Sequence, residues 1–238
     1  MNLKKRPKLS VAIPCYEMSG KGVEFLEKSL NIIKNQNVDF SEIEIVISDH
    51  SINDDIKKCC DKYNNINLKY YKNEECRGSM SGNINSCIRQ SSGEYIKPLF
   101  QDDFLNSSNS LKAILDNLNS PWIAHEYTHL DLSTDSFYNQ RTPFYNDRIL
   151  EGINTIGPPT VTAFLNDNNY FDENLLWFMD IEFYHRMMIK YGHPTILKCN
   201  DPIATVTTWS GQTTETSINQ VLIDKETNYI KLKYNENI

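Results

Sequence analysis

The chain of 238 residues has no apolar run near the roughly 20 residues a membrane-spanning helix needs. Its basic start, Met1 to Lys8, is followed only by Leu9 to Ile13 before Pro14, too short for a signal-peptide core. These two absences predict a cytoplasmic protein, neither exported nor spanning a membrane. Glycine is scarce, with nine residues. No GxGxxG follows the first predicted strand, and no GxxxxGK occurs before a Ser or Thr, so no glycine loop cradles a phosphate. Positive charge is in deficit: 24 Lys and Arg against 31 Asp and Glu leave a net charge of −7. That balance argues against nucleic acid as a partner. It leaves nucleotides open, because a metal can hold their phosphates. The six cysteines, Cys15, Cys59, Cys60, Cys76, Cys87 and Cys199, form no CxxC pair. Without an export signal they are expected to be reduced, buried thiols.

What remains is a globular composition, 39% hydrophobic and 23% charged. The length suits one or two domains, and the sequence shows no linker or internal repeat. Leu9–Pro14 is nearly all apolar and reads as a buried strand. Val23, Leu26, Leu30 and Ile33 place one apolar face on a helix over 22–34. Strands follow over 43–48, 67–71 and 94–100. Helices are expected over 54–63 and from Met80 to a stop at Gly93. A further helix, capped by Ser107 or Ser108, carries Leu111, Ile114, Leu115 and Leu118. Alternating strands and helices predict an α/β fold: one Rossmann-like domain with a central mixed, mostly parallel sheet flanked by helices. In the second half, 122–130 reads as one strand and 131–145 as a long loop. A helix over 180–191 stops at Gly192. Short strands cover 195–198 and 203–208, and Thr216 or Ser217 opens a last helix.

In an open α/β sheet, ligands bind outside the carboxyl ends of the strands. Tyr16 and Glu17 follow the first strand, Asp49 the second, and Asp102 and Asp103 the fourth. Acidic residues at three points of one rim suit a divalent cation such as Mn²⁺ or Mg²⁺. Asp102 and Asp103 are adjacent and point apart, so one of them is the expected ligand.

These residues carry a resemblance. Leu9-Ser-Val-Ala-Ile-Pro-Cys-Tyr-Glu17 resembles the opening strand of family 2 glycosyltransferases, which have the GT-A fold. Glu44-Ile-Val-Ile-Ser-Asp-His-Ser51 is similar to their second strand. Gly78 to Asn85, with Gly93-Glu-Tyr-Ile-Lys-Pro-Leu-Phe-Gln-Asp-Asp-Phe-Leu105, is similar to their next helix and metal-binding strand. Gly157-Pro-Pro-Thr-Val-Thr-Ala163, Phe171-Asp-Glu-Asn174 and Asp180-Ile-Glu-Phe-Tyr-His-Arg186 match the acceptor half. The resemblance covers about residues 8 to 215. It implies that Pro14, Tyr16, Glu17 and Ser51 line a nucleotide pocket and that Asp49 meets the base. It sets Asn83 and Asn85 beside the nucleotide, Asp102 on the metal, and Asp180 as catalytic base. It divides residues 1–238 into a nucleotide-sugar half, about 8–104, and an acceptor half, about 105–238.

The pattern departs from the family at three points. Phe100 replaces the first Asp of DxD. Trp209 stands where many relatives have a late His at the metal or diphosphate. No QxxRW follows, so processive polysaccharide synthases are a poor match. The implied reaction is single displacement with inversion: a nucleotide-sugar donor, UDP-linked, gives its sugar to a hydroxyl of a glycan or lipid-linked saccharide in polysaccharide biosynthesis. A metal at Asp102 offsets charge on the leaving diphosphate, with Arg77 as a further cation. Asp180 takes the acceptor's proton, and its place at a helix start favours the ionised form. A plain helix cap is the structural alternative for Asp180. Glu182, Trp177 and Trp209 are placed on the acceptor side, although Glu182–Arg186 also reads as an i,i+4 pair. A lipid-linked acceptor would bring the protein to the inner membrane face as a peripheral partner. Oligomeric state is not legible.

Two other readings compete. One is a non-catalytic nucleotide-sugar or carbohydrate-binding relative, motivated by Phe100 and Trp209. The other is a zinc metallopeptidase, since His125-Glu-Tyr-Thr-His129 spells HExxH. The β-branched and aromatic residues around that motif predict a strand. Two His four residues apart on a strand lie roughly 13 Å from one another, too far to share a zinc. The same stretch runs toward the acceptor side, so one of its His, or Glu126, is a candidate substrate contact.

Overall fold

The computed structural model describes residues 6–75 and 77–234. Cys76 and the first five residues of the basic start lie outside the described residues. The other five cysteines are free thiols, four of them buried.

A seven-stranded sheet forms the centre. Its strands are β1 (Leu9–Cys15), β2 (Ile43–Asp49), β3 (Leu68–Lys72), β4 (Tyr95–Pro98), β6 (Trp122–His125), β9 (Thr162–Leu165) and β10 (Thr195–Leu197), in the order β10-β6-β9-β4-β1-β2-β3. β3, β2, β1 and β4 run parallel, and β9 is antiparallel to both β4 and β6. All of β1 and β2 is buried, as an apolar strand covered on both faces must be. α1 (Gly22–Lys34) packs Leu26, Leu30 and Ile33 into the core on one face of the sheet. α3 (Met80–Gln90) packs Ile84, Cys87 and Ile88 on the other. The chain passes from β1 to β2 and β3 on one side, then returns to β4 on the other side of β1. That reversal opens a crevice beyond the carboxyl end of β1.

A second sheet has the order β5-β11-β7-β8, from β5 (Phe104–Leu105), β7 (Tyr127–Asp131), β8 (Ser136–Arg141) and β11 (Ala204–Thr208). It accounts for two corrections. The stretch 122–130 is two strands, because the chain leaves one sheet after His125 and enters the other at Tyr127. The expected loop over 131–145 contains β8, which folds back antiparallel on β7. Every residue of β8 is exposed, so no alternation of buried and exposed positions marked it.

Helix boundaries shifted in four places. α3 ends at Gln90, before Gly93. Gly93 serves close packing instead: a Cβ there would lie 2.5 Å from Ser10 Oγ. α2 (Asp55–Cys60) is shorter than expected. α4 (Ser110–Leu115) follows Asn109, whose N–H donates to Ser107 Oγ at 3.2 Å, the capping contact expected of Ser107. α5 (Met179–Tyr191) ends at Gly192, with φ of 80°, as expected. Past β11 come a single turn, α6 (Thr213–Thr216), and then α7 (Gln220–Tyr234). No described helix is long and apolar enough to cross a membrane.

Candidate active site

The rim at the carboxyl ends of β1, β2 and β4 gathers the residues anticipated there. Pro14 is buried in β1, opposite Ser48 of β2. Tyr16 is 38% exposed, and its N–H donates to Gln101 Oε1 at 2.9 Å. Burial and the nearby Asp102 charge raise its phenol pKa. The Glu17 carboxylate accepts from the Ile52 N–H. Asp49 is fully buried and accepts from Ser51 N at 2.8 Å, Tyr70 Oη at 2.7 Å and Lys72 Nζ at 3.3 Å. Ser51 Oγ is buried without a hydrogen-bond partner among the described residues. Arg77 is exposed, 3.7 Å from Glu74.

Asn83 ties strands together: it donates to Cys15 O at 3.0 Å and accepts from Ser48 Oγ at 2.7 Å. Asn85 does not face this rim. It donates to Phe171 O at 2.8 Å and Glu173 Oε1 at 2.9 Å, and accepts from Phe171 N at 2.8 Å. Its amide is consumed in anchoring the 171–173 loop to α3.

Asp102 and Asp103 turn apart. Asp103 is buried, accepting from Thr160 Oγ1 at 2.5 Å and Thr207 N at 3.1 Å. Burial and the adjacent Asp102 hold its pKa well above the carboxylate range. Lys97 is fully buried behind it, donating to Thr160 O. Desolvation lowers the Lys97 pKa to about 7. Asp102 is half-buried, and Oδ2 accepts from the Trp209 indole N–H at 3.0 Å. Burial raises its pKa, partly offset by that hydrogen bond. Trp209 thus packs against the Asp102 turn. Its ring lies 5.4 Å from Phe25, with Lys21 Nζ 5.2 Å from its centroid.

Of the two carboxylates, only Asp102 retains the hard oxygen donor a divalent cation takes. No group of three His, Cys, Asp or Glu able to hold a metal occurs among the described residues. Asp102 would thus serve such a cation as a single protein ligand.

Asp180 sits in the first turn of α5. Oδ2 accepts from Asn154 Nδ2 at 2.8 Å, and Oδ1 from Ile181 N at 2.7 Å. Burial raises its pKa to about 7. The helix terminus lowers it less than desolvation raises it, contrary to the expectation of a fully ionised group. Asn154 was not anticipated, because one Asn in an irregular stretch carries no pattern. Glu226 was also missed. It reaches from α7 to accept from the N–H groups of Leu176, Trp177 and Phe178, at 2.7, 3.0 and 2.8 Å. It thereby holds the turn that leads into Asp180. Trp177 is 39% exposed in that turn.

Glu182 does not face an acceptor. It is fully buried, accepting from Arg186 Nε, Lys233 Nζ and Tyr234 Oη, each at 2.7 Å. The pair with Arg186 was foreseen, and the clamp from α7 was not.

One short segment joins the two carboxylates. Asn154, which holds Asp180, also donates to Gly157 O at 3.1 Å. Three residues on, Thr160 Oγ1 accepts from Phe100 N at 3.1 Å and donates to Asp103. Three residues span at most roughly 10 Å, so the 154–160 segment links Asp180 to the Asp103 side of the turn through Asn154 and Thr160.

The HExxH segment does not form a helix. His125 is fully buried in β6, with Nδ1 3.1 Å from Glu126 O, whereas His129 lies on β7 in the other sheet. Glu126 accepts from Thr142 Oγ1 at 2.6 Å and Cys199 N at 3.2 Å, linking three segments. The helical face that the peptidase reading requires is not formed.

Comparison with known proteins agrees with this geometry. The family model "Glycosyl transferase family 2" matches residues 10–185. A Campylobacter jejuni GalNAc(5)-diNAcBac-PP-undecaprenol beta-1,3-glucosyltransferase is 32% identical over 123 residues, 51% of this chain and 37% of that protein. Poly(ribitol-phosphate) beta-N-acetylglucosaminyltransferase TarS of Staphylococcus aureus is 27% identical over 179 residues, 71% of this chain and 30% of that protein. The chain thus spans about a third of the length of these relatives. The crystal structure of TarS 1–349 with UDP-GlcNAc superposes with a TM-score of 0.74 at 19% identity, over 97% of this chain and 68% of that one. That likeness shows the fold. With a family match across most of its length and the fold of such enzymes, the chain belongs to glycosyltransferase family 2.

Proposed function

We propose that this chain is the catalytic portion of an inverting glycosyltransferase. It moves a sugar from a nucleotide-linked donor, UDP-linked, to a hydroxyl of a glycan or lipid-linked saccharide. The observation that carries the reading is the 154–160 segment, which links Asp180 to the Asp102–Asp103 turn through hydrogen bonds. The donor specificity follows the named relatives, one of which was crystallised with UDP-GlcNAc. Residues 8–104 would hold the nucleotide sugar and 105–238 the acceptor, with Trp209 returning from the second half to the donor carboxylate.

Asp180 would take the acceptor proton on its carboxylate as the hydroxyl oxygen attacks the anomeric carbon. Asn154 and the Ile181 N–H fix that carboxylate in place. A pKa near 7 keeps it basic enough to accept a proton yet half ionised at neutral pH. The nearby Glu226 carboxylate is taken up by three backbone N–H groups rather than free to act as a nucleophile, which favours single displacement. Asp102 would hold Mn²⁺ or Mg²⁺, which when bound supplies positive charge against the leaving diphosphate. A lipid-linked acceptor would place the enzyme peripherally at the inner membrane face.

The test is nucleotide release from a panel of UDP- and GDP-sugars, with and without Mn²⁺. Asp180→Asn should lower transfer by about 10³-fold while donor binding by calorimetry is retained. Failure of every donor to release nucleotide contradicts the reading. The hydrogen bond of Trp209 to Asp102 favours a second reading, a non-catalytic sugar-nucleotide binder. Donor binding without turnover would select it.

A further inference from the structure

One face of the second sheet carries a row of rings that the mechanism does not use. Tyr127 and His129 project to the same side of β7, two residues apart. Tyr138 lies opposite His129 on β8. The ring centroids of Tyr127 and His129 are 5.3 Å apart. Those of His129 and Tyr138 are 5.2 Å apart at 28°, a stacked pair. The row becomes more open along its length: Tyr127 is buried, His129 half-buried and Tyr138 43% exposed.

Both ends of the row meet the candidate site. At the inner end, the Tyr127 ring packs on Gly157, whose added Cβ would lie 2.6 Å from Tyr127 Oη. Gly157 O accepts from Asn154, the residue that holds Asp180. At the outer end, Tyr138 Oη lies 3.2 Å from Thr208 Oγ1, and Thr208 precedes Trp209 on Asp102. The row therefore runs from the neighbourhood of the base to that of the donor carboxylate. Arg141, exposed and opposite Tyr127 in register, adds a cation and donors at the edge.

We infer that this face is the acceptor subsite and that a pyranose ring lies against Tyr138, with His129 behind it. The inference rests on the glycosyltransferase reading above. A pyranose has an apolar C–H face that packs on an aromatic ring, and hydroxyls on its edge that need polar partners. Tyr138 supplies the ring. Thr208 supplies a polar group at its margin, and Arg141 another further in, opposite Tyr127. A saccharide seated there would direct a hydroxyl inward along the row toward Asp180.

The test is saturation-transfer NMR on the full chain with methyl pyranosides and β-linked disaccharides of glucose, galactose and their N-acetylamino forms. Wild type should bind at least one of them. Tyr138→Ala should weaken that binding about tenfold, and Tyr138→Phe, which keeps the ring, should restore it. Circular dichroism checks the fold of both variants. Nucleotide release from donor alone, with water as acceptor, is measured on wild type alongside. The inference is overturned if wild type binds none of the saccharides, or if Tyr138→Ala binds them as well as wild type. A wild-type dimer that Tyr138→Ala dissolves would assign the face to a second copy and also overturn it. Loss of donor-only release in wild type would instead contradict the enzymatic reading, so the two failures are distinct.

Discussion

Asp180 carries opposite demands for stability and for chemistry. Burial raises its pKa to about 7, against about 3.9 in an unfolded chain. The folded state therefore binds the proton more tightly. Asp180 stabilises the fold fully below about pH 4, and that contribution is lost as pH rises through about 7. Asp180→Asn, which needs no proton, should melt above wild type at pH 8, and the gap should shrink toward pH 4. Equal melting temperatures at pH 8 would remove the desolvation account. The base works when deprotonated, so the rate of the wild type should climb through pH 7 and level off above it. Trp209 invites a separate test. Its indole N–H occupies Asp102 Oδ2, so a cation and the indole compete for one oxygen. Trp209→Phe keeps a ring beside Phe25 but removes the donor. It should lower the Mn²⁺ concentration that half-saturates donor binding, by about tenfold if a charge-assisted hydrogen bond is lost. An unchanged value in calorimetry would mean that the two do not compete. At this scale Asp102, Asp180 and Trp209 stood out in the sequence because ordered motifs frame them. Asn154 did not, since its role depends on a contact 26 residues away.

α7 illustrates what a helix can contribute without much apolar burial. Only Glu226 and Ile230 of its residues are buried. It is held instead by polar clamps: Glu226 on three N–H groups before α5, Lys233 on Glu182 and Asp172, and Tyr234 on Glu182. Glu226→Ala should cost about 3 kcal/mol in urea unfolding, because it strands three N–H groups that a buried carboxylate now satisfies. It should also reduce transfer, since the turn it holds positions Asp180. A loss below about 0.5 kcal/mol would show that water replaces the carboxylate freely. Elements with one apolar face, α1 and α3 among them, were legible because period and burial agree. β8 was not, because every residue on it is exposed. The break between β6 and β7 was hidden too: two consecutive strands in different sheets read as one stretch of aromatic and β-branched residues.

The whole molecule joins a seven-stranded sheet to a smaller second sheet, whose end reaches the Asp102–Asp103 turn through Thr207 and Trp209. Its net charge of −7 is not spread without purpose. Asp49, Asp102 and Asp103 stand at or behind one rim of the first sheet, while Asp180 lies in the first turn of α5 and Glu226 holds the turn before it. The α/β class and the donor-side crevice could be read from alternation alone, since crossover topology follows from it. How the second half closes over the first could not, because the contacts of Thr160, Thr207 and Trp209 with the Asp102–Asp103 turn bridge 57 to 107 positions. The central claim is that one base in one cleft displaces the nucleotide in a single step. The anomeric configuration of the product made from an α-linked UDP-sugar, read by proton NMR, tests it most directly. The account predicts a β-linked product, formed about 10³-fold more slowly by Asp180→Asn; an α-linked product would contradict it.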